Sequence, residues 1–471
     1  MQININKNDV VHFVGIGGIG MSGIALIMKS LGYTVQGSDL SKSKNTERLK
    51  KKKIKIFYNH SYSNVKKAKI IVISSAITNK NKELLFAKKK NILIIKRADM
   101  LAHLLSLKKN IIISGSHGKT TITSLVSTIL NNSKYNPTIV NGGILNSIDA
   151  NAKVGKDDWA VVEADESDGS FLKFKKLYSI TSNIDYEHMD YYKNIKNLHQ
   201  KFEKFINTTT LLGKAIVCSD DKKLNKIGEK NKNKNVLTYG FNSKADFRIL
   251  NSQNTNMGMK FDLKLQQKKK KITLKNFYIN LIGKHNVLNA TASIALALSI
   301  GINQKVIKQS LKDFKGVQRR MTQLLNFNNK LFYDDYAHHP TEITAVLKAC
   351  RNNFSKRKII SIFQPHRYSR LKYLYDKFTK SFYISDVVLL CPIYSAGEKK
   401  NNITQYQLGK DIIKNSKTEV ILINNEVEIE KFLKKNLANN EIVIGMGAGS
   451  ISMWMKKISV NYKKYAAKNK K

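Results

Sequence analysis

The chain has 471 residues, 42% of them hydrophobic and 9% aromatic. That is too long for one ordinary core and too apolar for global disorder, so two to four domains are expected. Its 82 Lys and Arg against 34 Asp and Glu give a formal charge of +48.

Such a charge invites a nucleic-acid or membrane partner, but the lysines are spread along the chain, as at Lys50–Lys53, Lys88–Lys90 and Lys268–Lys271. Runs of like charge are usually solvated faces. With Lys far outnumbering Arg and only four prolines, the balance reads as compositional bias, and no nucleic-acid partner is expected. A small polyanionic substrate would still gain from the field. The bias makes the arginines informative. Arg97, Arg319, Arg320, Arg367 and Arg370 offer a planar fork that grips carboxylate or phosphate at two points; a structural salt bridge is the alternative for each.

Three cysteines, Cys218, Cys350 and Cys391, lie far apart with no CxxC pair. This fits a reducing compartment and argues against a disulfide framework or a cysteine zinc site. The start, Met1-Gln2-Ile3-Asn4, shows no leader pattern, and apolar runs such as Ile111–Ile113 and Val387–Leu390 are too short to span a bilayer. A cytoplasmic protein without a membrane span is expected.

Residues 1–108 alternate strands and helices. Strands are predicted at Asp9–Val14, Thr34–Gly37, Ile70–Ser74 and Ile92–Ile95. Helices are predicted at Ile19–Leu31, ended by Gly32, and near Lys82–Lys89 and Ala98–Leu105. This is the rhythm of a parallel sheet. A second unit, 109–314, opens with strand Asn110–Ser114 and a helix from Thr120 to Leu130. That helix carries Ile122, Leu125, Val126, Ile129 and Leu130 at the spacing of a buried stripe. Trp159–Val162 is another strand, 220–280 reads as antiparallel strands and loops, and Asn286–Leu298 as a helix. A third unit, 315–471, has strands at Leu331–Asp334, Lys358–Phe363, Asp386–Cys391 and Glu441–Ile444. Its helices are predicted at Thr341–Cys350, Arg370–Phe382 and Ser450–Lys457, and its Lys-rich tail, Lys463–Lys471, as frayed. The fold class is α/β: a Rossmann-like N-terminal unit, a P-loop ATPase-like mixed centre and a Rossmann-like C-terminal unit.

Two glycine-rich turns carry the chemistry. Gly15-Ile16-Gly17-Gly18-Ile19-Gly20 lies between a predicted strand and helix, where backbone can approach a pyrophosphate. Asp39, after the next strand, stands where an acid often meets a ribose. NAD, another nucleotide diphosphate or an unliganded tight turn all satisfy this pattern. The second turn, Gly115-Ser116-His117-Gly118-Lys119-Thr120-Thr121, is more specific. Backbone N–H groups there hold phosphates, Lys119 reaches the outer ones, and Thr120 or Thr121 can meet Mg²⁺. Ile113 replaces the first glycine of the full P-loop pattern, so the loop is shorter.

Glu163-Ala164-Asp165-Glu166-Ser167-Asp168 ends a strand in carboxylates, and Asp185-Tyr186-Glu187-His188 follows. Hard oxygen ligands suit Mg²⁺, and with a phosphate loop ahead of it His188 reads as a metal ligand rather than a structural histidine. Asn286 and Asn289 share a helix face; Asn286 could be an N-cap, or the pair could meet a nucleotide. Asp334-Asp335-Tyr336-Ala337-His338-His339 and His366-Arg367-Tyr368-Ser369-Arg370 fall where strands run into helices, the usual site edge of such sheets. No CxxC or HExxH accompanies the paired histidines, so zinc is not expected.

In order, HFVGIGGIGMSGIA, GSHGKTT, VVEADESDGSF, NIDYEHMD, GKHNVLNA, GVQRRM, DDYAHHPTEI, FQPHRYSR and IYSAGE resemble the Mur ligases of peptidoglycan synthesis. The resemblance runs from about residue 10 to 455. Ser116 and Glu187 stand where the family more often has Thr and Asp. The resemblance implies three domains, 1–108 for a UDP-sugar, 109–314 for ATP and Mg²⁺, and 315–471 for an amino acid, the last closing over the site. It implies joining of L-alanine to the carboxylate of UDP-N-acetylmuramate through an acyl phosphate, in a monomer or homodimer; a peptide-adding relative is the alternative. Gly15, Gly17, Gly18, Ile19, Gly20, Asp39, Ser74, Ser75, Arg97 and His117 would face the UDP-sugar. Gly115 to Thr121, Asn286, Asn289, Arg320 and Asp334 or Asp335 would face ATP. Thr120, Glu163 and His188 would hold the metal, and acid should weaken that site because His188 must be neutral to ligate. Tyr336, His338, Arg367, Arg370 and Ala448 would surround L-alanine. Lys119, His188 and Arg367 would be catalytic.

Overall fold

The computed structural model describes residues 5–74, 76–231, 235–255, 257–267 and 270–468. The chain forms two compact units: Met1–Asn251 with Phe261–Tyr278 and Leu288–Lys315, and Ser252–Lys260 with Ile279–Val287 and Gly316–Lys471.

The first unit begins with a five-stranded sheet built from β1 (Val10–Val14), β2 (Thr34–Ser38), β3 (Lys55–Phe57), β4 (Ile70–Ile73) and β5 (Leu93–Lys96). Their order is β3-β2-β1-β4-β5 and every pairing is parallel. The order reverses between β1 and β4, which opens a crevice at their C-terminal ends. Helices α1 (Ile19–Ser30), α2 (Lys44–Lys51), α3 (Lys82–Lys89) and α4 (Arg97–Leu104) connect the strands. Strand β3 and helix α2 are not predicted by the sequence pattern. Their lysines, at Lys50–Lys53 and Lys55, hide the short apolar pattern.

A ten-stranded sheet follows, with β6 (Lys109–Ser114), β7 (Thr138–Leu145), β8 (Ala150–Lys153), β9 (Trp159–Glu163), β10 (Tyr178–Thr181), β11 (Ala215–Cys218), β12 (Val236–Gly240), β13 (Phe247–Thr255), β14 (Gly258–Gln267) and β15 (Lys270–Ile279). Its order is β15-β14-β13-β12-β11-β10-β6-β9-β7-β8. Strand β6 is central and wholly apolar from Ile111 to Ile113, as a strand covered on both faces must be. Helix α5 (Lys119–Asn131) buries Ile122, Leu125, Val126, Ile129 and Leu130, each contributing about 1.5–3 kcal/mol. Helices α6 (Met189–Tyr192), α7 (Ile195–Asn207), α8 (Lys222–Lys230), α9 (Lys284–Ser299) and α10 (Gln304–Lys312) complete the region. The antiparallel expectation for 220–280 fails in its first half. Helix α8 occupies part of it, and β12 pairs in parallel with both β11 and β13.

The second unit carries a six-stranded sheet of β16 (Thr322–Phe327), β17 (Lys330–Asp335), β18 (Lys358–Phe363), β19 (Val387–Leu390), β20 (Glu419–Leu422) and β21 (Glu441–Met446). The order is β16-β17-β21-β18-β19-β20, parallel except for the β16–β17 hairpin. Around it run α11 (Pro340–Asn353), α12 (Tyr368–Thr379), α13 (Gln405–Ser416), α14 (Glu426–Asn436) and α15 (Ile451–Lys468). The tail is not frayed at Lys463, because α15 continues to Lys468. Its Ile458 and Tyr462 bury in the core, Tyr462 at 5.2 Å from Phe332, so tertiary packing overrides the lysines. Residues 469–471 lie outside the described residues.

All three cysteines are buried and none forms a disulfide. Burial pushes the Cys218 and Cys391 thiols up to about 12, and raises Cys350 as well.

Candidate active site

The first glycine turn leaves β1 at the crevice. Gly15 adopts φ +75°, and its N–H and that of Ile16 donate to the Ser38 carbonyl at 2.8 and 2.9 Å. Gly17 N–H donates to Asp39 Oδ2 at 2.8 Å, and a Cβ at Gly17 would lie 2.8 Å from that oxygen. Asp39 thus grips the turn itself. Gly18 caps α1. Ile77, after β4, packs against Gly15, so the loops following β1 and β4 adjoin. Ser74 is half-buried there, and Ser75 lies outside the described residues. Behind the turn, Ser38 Oγ donates to Glu83 Oε2 at 2.6 Å. His60 Nδ1 lies 3.0 Å from the same oxygen, Asn64 donates to Glu83 Oε1 at 2.8 Å, and His12 is 3.6 Å away. Burial raises this carboxyl, but interactions with His12, Ser38 and Asn64 outweigh it and hold Glu83 down at about 2.

Arg97, at the start of α4, packs its guanidinium against Gly20 and donates to Asp165 Oδ2 at 2.9 Å. One side chain therefore touches both the first turn and the acidic stretch after β9.

The second turn runs from β6 into α5. Gly118 adopts φ +83°, and a Cβ there would meet Asn289 Oδ1 at 2.5 Å, so glycine is required. Ser116 N–H donates to the Asn183 carbonyl at 3.0 Å, and His117 N–H to Asn183 Oδ1 at 2.8 Å. His117 Nε2 lies 3.0 Å from Asp185 Oδ2. Lys119 Nζ folds back to the Gly115 and Ser116 carbonyls at 2.5 and 3.0 Å, and to Glu166 Oε1 at 2.8 Å. Burial lowers its ammonium, but the charges of Glu166, Glu187 and Glu163 outweigh that and raise it, so Lys119 stays a cation. Thr120 Oγ1 donates to Glu163 Oε1 at 3.0 Å, Gly142 N–H donates to Glu163 Oε2 at 2.7 Å, and Thr121 is buried beside them in sequence.

His188, in the left-handed region at φ 57°, brings Nε2 to 3.7 Å from Glu166 Oε1 and 4.0 Å from Glu187 Oε2. Burial lowers its imidazole, but Glu166 and Glu187 prevail and raise it. Glu166, Glu187 and His188 offer ligand atoms within 4.8 Å of one another. Glu166 Oε2 is buried with no hydrogen-bond partner. A carboxylate-rich cluster with an unsatisfied buried oxygen fits a hard divalent cation.

In the second unit, Arg319 and Arg320 lie over the Tyr336 ring at 4.6 and 5.3 Å. Arg319 donates to the Gly447 carbonyl at 2.7 Å, beside Ala448, and Arg320 lies 3.7 Å from Glu342. His338 Nδ1 is 2.9 Å from the Tyr336 carbonyl, and its ring is 6.2 Å from His366. His366 stacks on Tyr394 at 5.4 Å, and Arg370 Nη1 is 3.3 Å from His366 Nδ1. Burial, then Arg370, His338 and Arg367, push His366 down to about 3, so it is neutral. Arg367 holds φ +72° and donates from Nε to Glu398 Oε1 at 2.6 Å. Glu398 also accepts from Ser369 Oγ and N–H at 2.6 and 2.9 Å. Asp334 accepts from Ser452 at 2.5 Å, and Asp335 accepts from the N–H groups of Met321 and Ala337 at 2.7 Å each. Burial raises both carboxyls, Asp335 to about 6. Asn286 donates to the Ile282 carbonyl at 2.8 Å.

Residues 10–109 match the model of the Mur ligase family catalytic domain, 113–297 that of the Mur ligase middle domain, and 319–449 that of the Mur ligase glutamate ligase domain. The UDP-N-acetylmuramate–L-alanine ligase of Pelagibacter ubique is 50% identical over 460 residues, 97% of this chain and 99% of that protein. The chain belongs to the Mur ligase family. A Bartonella bacilliformis ligase of the same name is 40% identical over 96% of each chain. The crystal structure of UDP-N-acetylmuramate–alanine ligase from Thermotoga maritima superposes with a TM-score of 0.83 at 28% identity, covering 97% of this chain and 99% of that one. A murein peptide ligase from Psychrobacter arcticus shares the fold, with a TM-score of 0.70 at 21% identity over 96% and 98%.

Within this Mur ligase the two glycine turns, Arg97, Lys119, Thr120 and Glu163 gather in the first unit with Asn289. Tyr336, His338, Arg367 and Arg370 gather in the second through His366 and Glu398. His188 groups with Glu166 and Glu187, and Glu163 is not a member of that group. Glu166, Asn183, Asp185, Glu342 and Glu398 carry no individual role in the sequence patterns. The first three lie in runs already marked as chemical, and Glu398 in IYSAGE, but a run of acids does not say which one turns toward Lys119.

Proposed function

We infer that the chain is an ATP-dependent ligase that joins L-alanine to the carboxylate of UDP-N-acetylmuramate, as the relatives' names describe for those proteins. Half of all positions are identical, over nearly the full length, to one such ligase, and that observation carries the reading. Family membership brings ATP use with it.

A carboxylate is a poor acylating agent. Its oxygen attacks the ATP γ-phosphorus, the bond to the bridging oxygen breaks, and ADP leaves an acyl phosphate. The alanine amine then attacks the acyl carbon, and the tetrahedral adduct collapses with loss of phosphate and a proton. Phosphoryl transfer asks for positioning and charge neutralisation more than for covalent help. Lys119, fixed by two loop carbonyls and Glu166, is the proposed neutralising cation. Mg²⁺, when bound, would add charge neutralisation on the phosphates; Glu166, Glu187 and His188, with Thr120 and Glu163, are the residues proposed to hold it. The turn at Gly15–Gly20, with Asp39, Ser74, Ser75 and Arg97, is the proposed seat of the sugar nucleotide. Asn286, Asn289, Arg320, Asp334 and Asp335 are proposed for ATP, within bounds of 1–108, 109–314 and 315–471 for the three domains. Tyr336, His338, Arg367, Arg370 and Ala448 are proposed for the amino acid, whose α-carboxylate suits an arginine fork.

Phosphate release with UDP-N-acetylmuramate, ATP, Mg²⁺ and one of L-alanine, glycine, L-serine or a tripeptide tests the reading. Release with L-alanine foremost supports it. Release with the tripeptide alone replaces it with the peptide-adding activity.

A further inference from the structure

The three most exposed large apolar side chains among the described residues are Leu107, Leu212 and Leu211, at 95%, 92% and 82%. Their turns stand at the same end of neighbouring strands of the central sheet. Leu107 lies in the turn leading into β6, and Leu211 and Leu212 lie in the turn leading into β11. The segment leading into β10 runs between these turns. Asn110 Nδ2 donates to the carbonyls of Leu105 and Lys175 at 3.0 and 2.9 Å, and Thr210 N–H donates to the Lys176 carbonyl at 3.1 Å. Gly213 packs so closely on the Leu177 carbonyl that no Cβ fits. Strands β6, β10 and β11 are parallel neighbours, so all three turns stand at their N-terminal ends. The nucleotide turn leaves the other end of β6, about 20 Å away for a strand of this length.

The same end is basic. Lys109, Lys134, Lys156 and Lys175 are exposed and Lys108 and Lys214 half-exposed, against Asp157 and Asp158. Tyr135, Trp159 and Tyr178 form a ladder at 5.6 and 6.1 Å, with Lys109 over the Trp159 ring and Lys134 over the Tyr135 ring. Clustered exposed apolar side chains mark an interaction surface. Leucines at turn tips, flanked by lysines and aromatic rings, suit the boundary between headgroups and acyl chains. Lysines of this density would repel a second copy of the same face and attract an anionic one. We propose that this end docks the enzyme on an anionic bilayer surface, the leucines entering the interface and the lysines meeting lipid phosphates, with the nucleotide turn facing away.

Flotation of the full chain with vesicles tests this, using pure phosphatidylcholine and phosphatidylcholine mixed with phosphatidylglycerol at physiological salt. The mixed vesicles should carry the protein and the neutral ones should not. Joint Leu107→Ser, Leu211→Ser and Leu212→Ser should lower partition at least about ten-fold and leave turnover unchanged. Lys109→Gln with Lys134→Gln and Lys175→Gln should do the same. Equal flotation of the leucine variant would overturn the proposal, because diffuse charge would then suffice. So would absence of flotation, loss of a solution dimer in the leucine variant, or salt-steep binding to random DNA that this variant loses.

Discussion

Lys119 and Glu166 form a 2.8 Å ion pair at the start of α5, and the same Glu166 oxygen lies 3.7 Å from His188. One carboxylate therefore orients both the loop cation and the histidine. Lys119→Ala should lower ATP-dependent phosphate release about 10²–10³-fold, as losing one preorganised charge at a transferring phosphoryl does. Glu166→Gln keeps the shape and removes the charge, and should cost about 10–100-fold with a higher Mg²⁺ requirement. Near-normal turnover in Lys119→Ala would sink the loop assignment.

Arg367 pairs with Glu398 and holds a backbone conformation that side chains rarely adopt. Arg367→Lys loses the fork and should raise the KM for L-alanine about ten-fold or more, with little change in the KM for ATP. Glu398→Gln should shift the same constant in the same direction by a smaller factor. Equal rises for both substrates would argue against an amino-acid role.

Arg97 touches the first glycine turn and Asp165 at once. Its pair with Asp165 is partly solvated, so Arg97→Ala should cost less than about 1 kcal/mol of stability. The KM for UDP-N-acetylmuramate should nevertheless rise about ten-fold if the guanidinium meets the sugar nucleotide. Urea unfolding and initial rates on the same preparation separate the two effects.

Glu83 makes stability pH-dependent. Its carboxyl is held at about 2 in the fold against an ordinary 4.5. A depressed folded value stabilises at pH above the unfolded one, and that stabilisation is lost as pH falls from about 4.5 through about 2. The contribution is on the order of 3 kcal/mol. Denaturant midpoints should fall over that window in the native chain. In Glu83→Gln they should be lower near neutrality and flatter in acid. An unchanged acid limb in the variant would show that other carboxylates govern it.

The glycine turns, the buried stripe of α5 and the strands flanking them were legible because each is a local pattern: glycine where φ turns positive, apolar residues at fixed spacing. The short strand β3 and the helical tail were not, because β3 is three residues long behind a lysine run and lysines crowd the tail, so only packing reveals them. The site was legible as segments rather than as partners. Asp39 stood out as a candidate for a ribose, yet its carboxylate also binds the Gly17 amide, and Glu398 gave no periodic signal at all. Such pairings join residues far apart in the chain, and spacing carries no information about them.

The burial of Cys218, Cys350 and Cys391 has a practical side. With thiols held protonated and shielded, the folded enzyme offers a labelling reagent no native handle. A cysteine placed at Leu107, or on the exposed rim of any sheet, would be the first to react. A dye or spin label could then be seated at one chosen position without stripping the native thiols from the core.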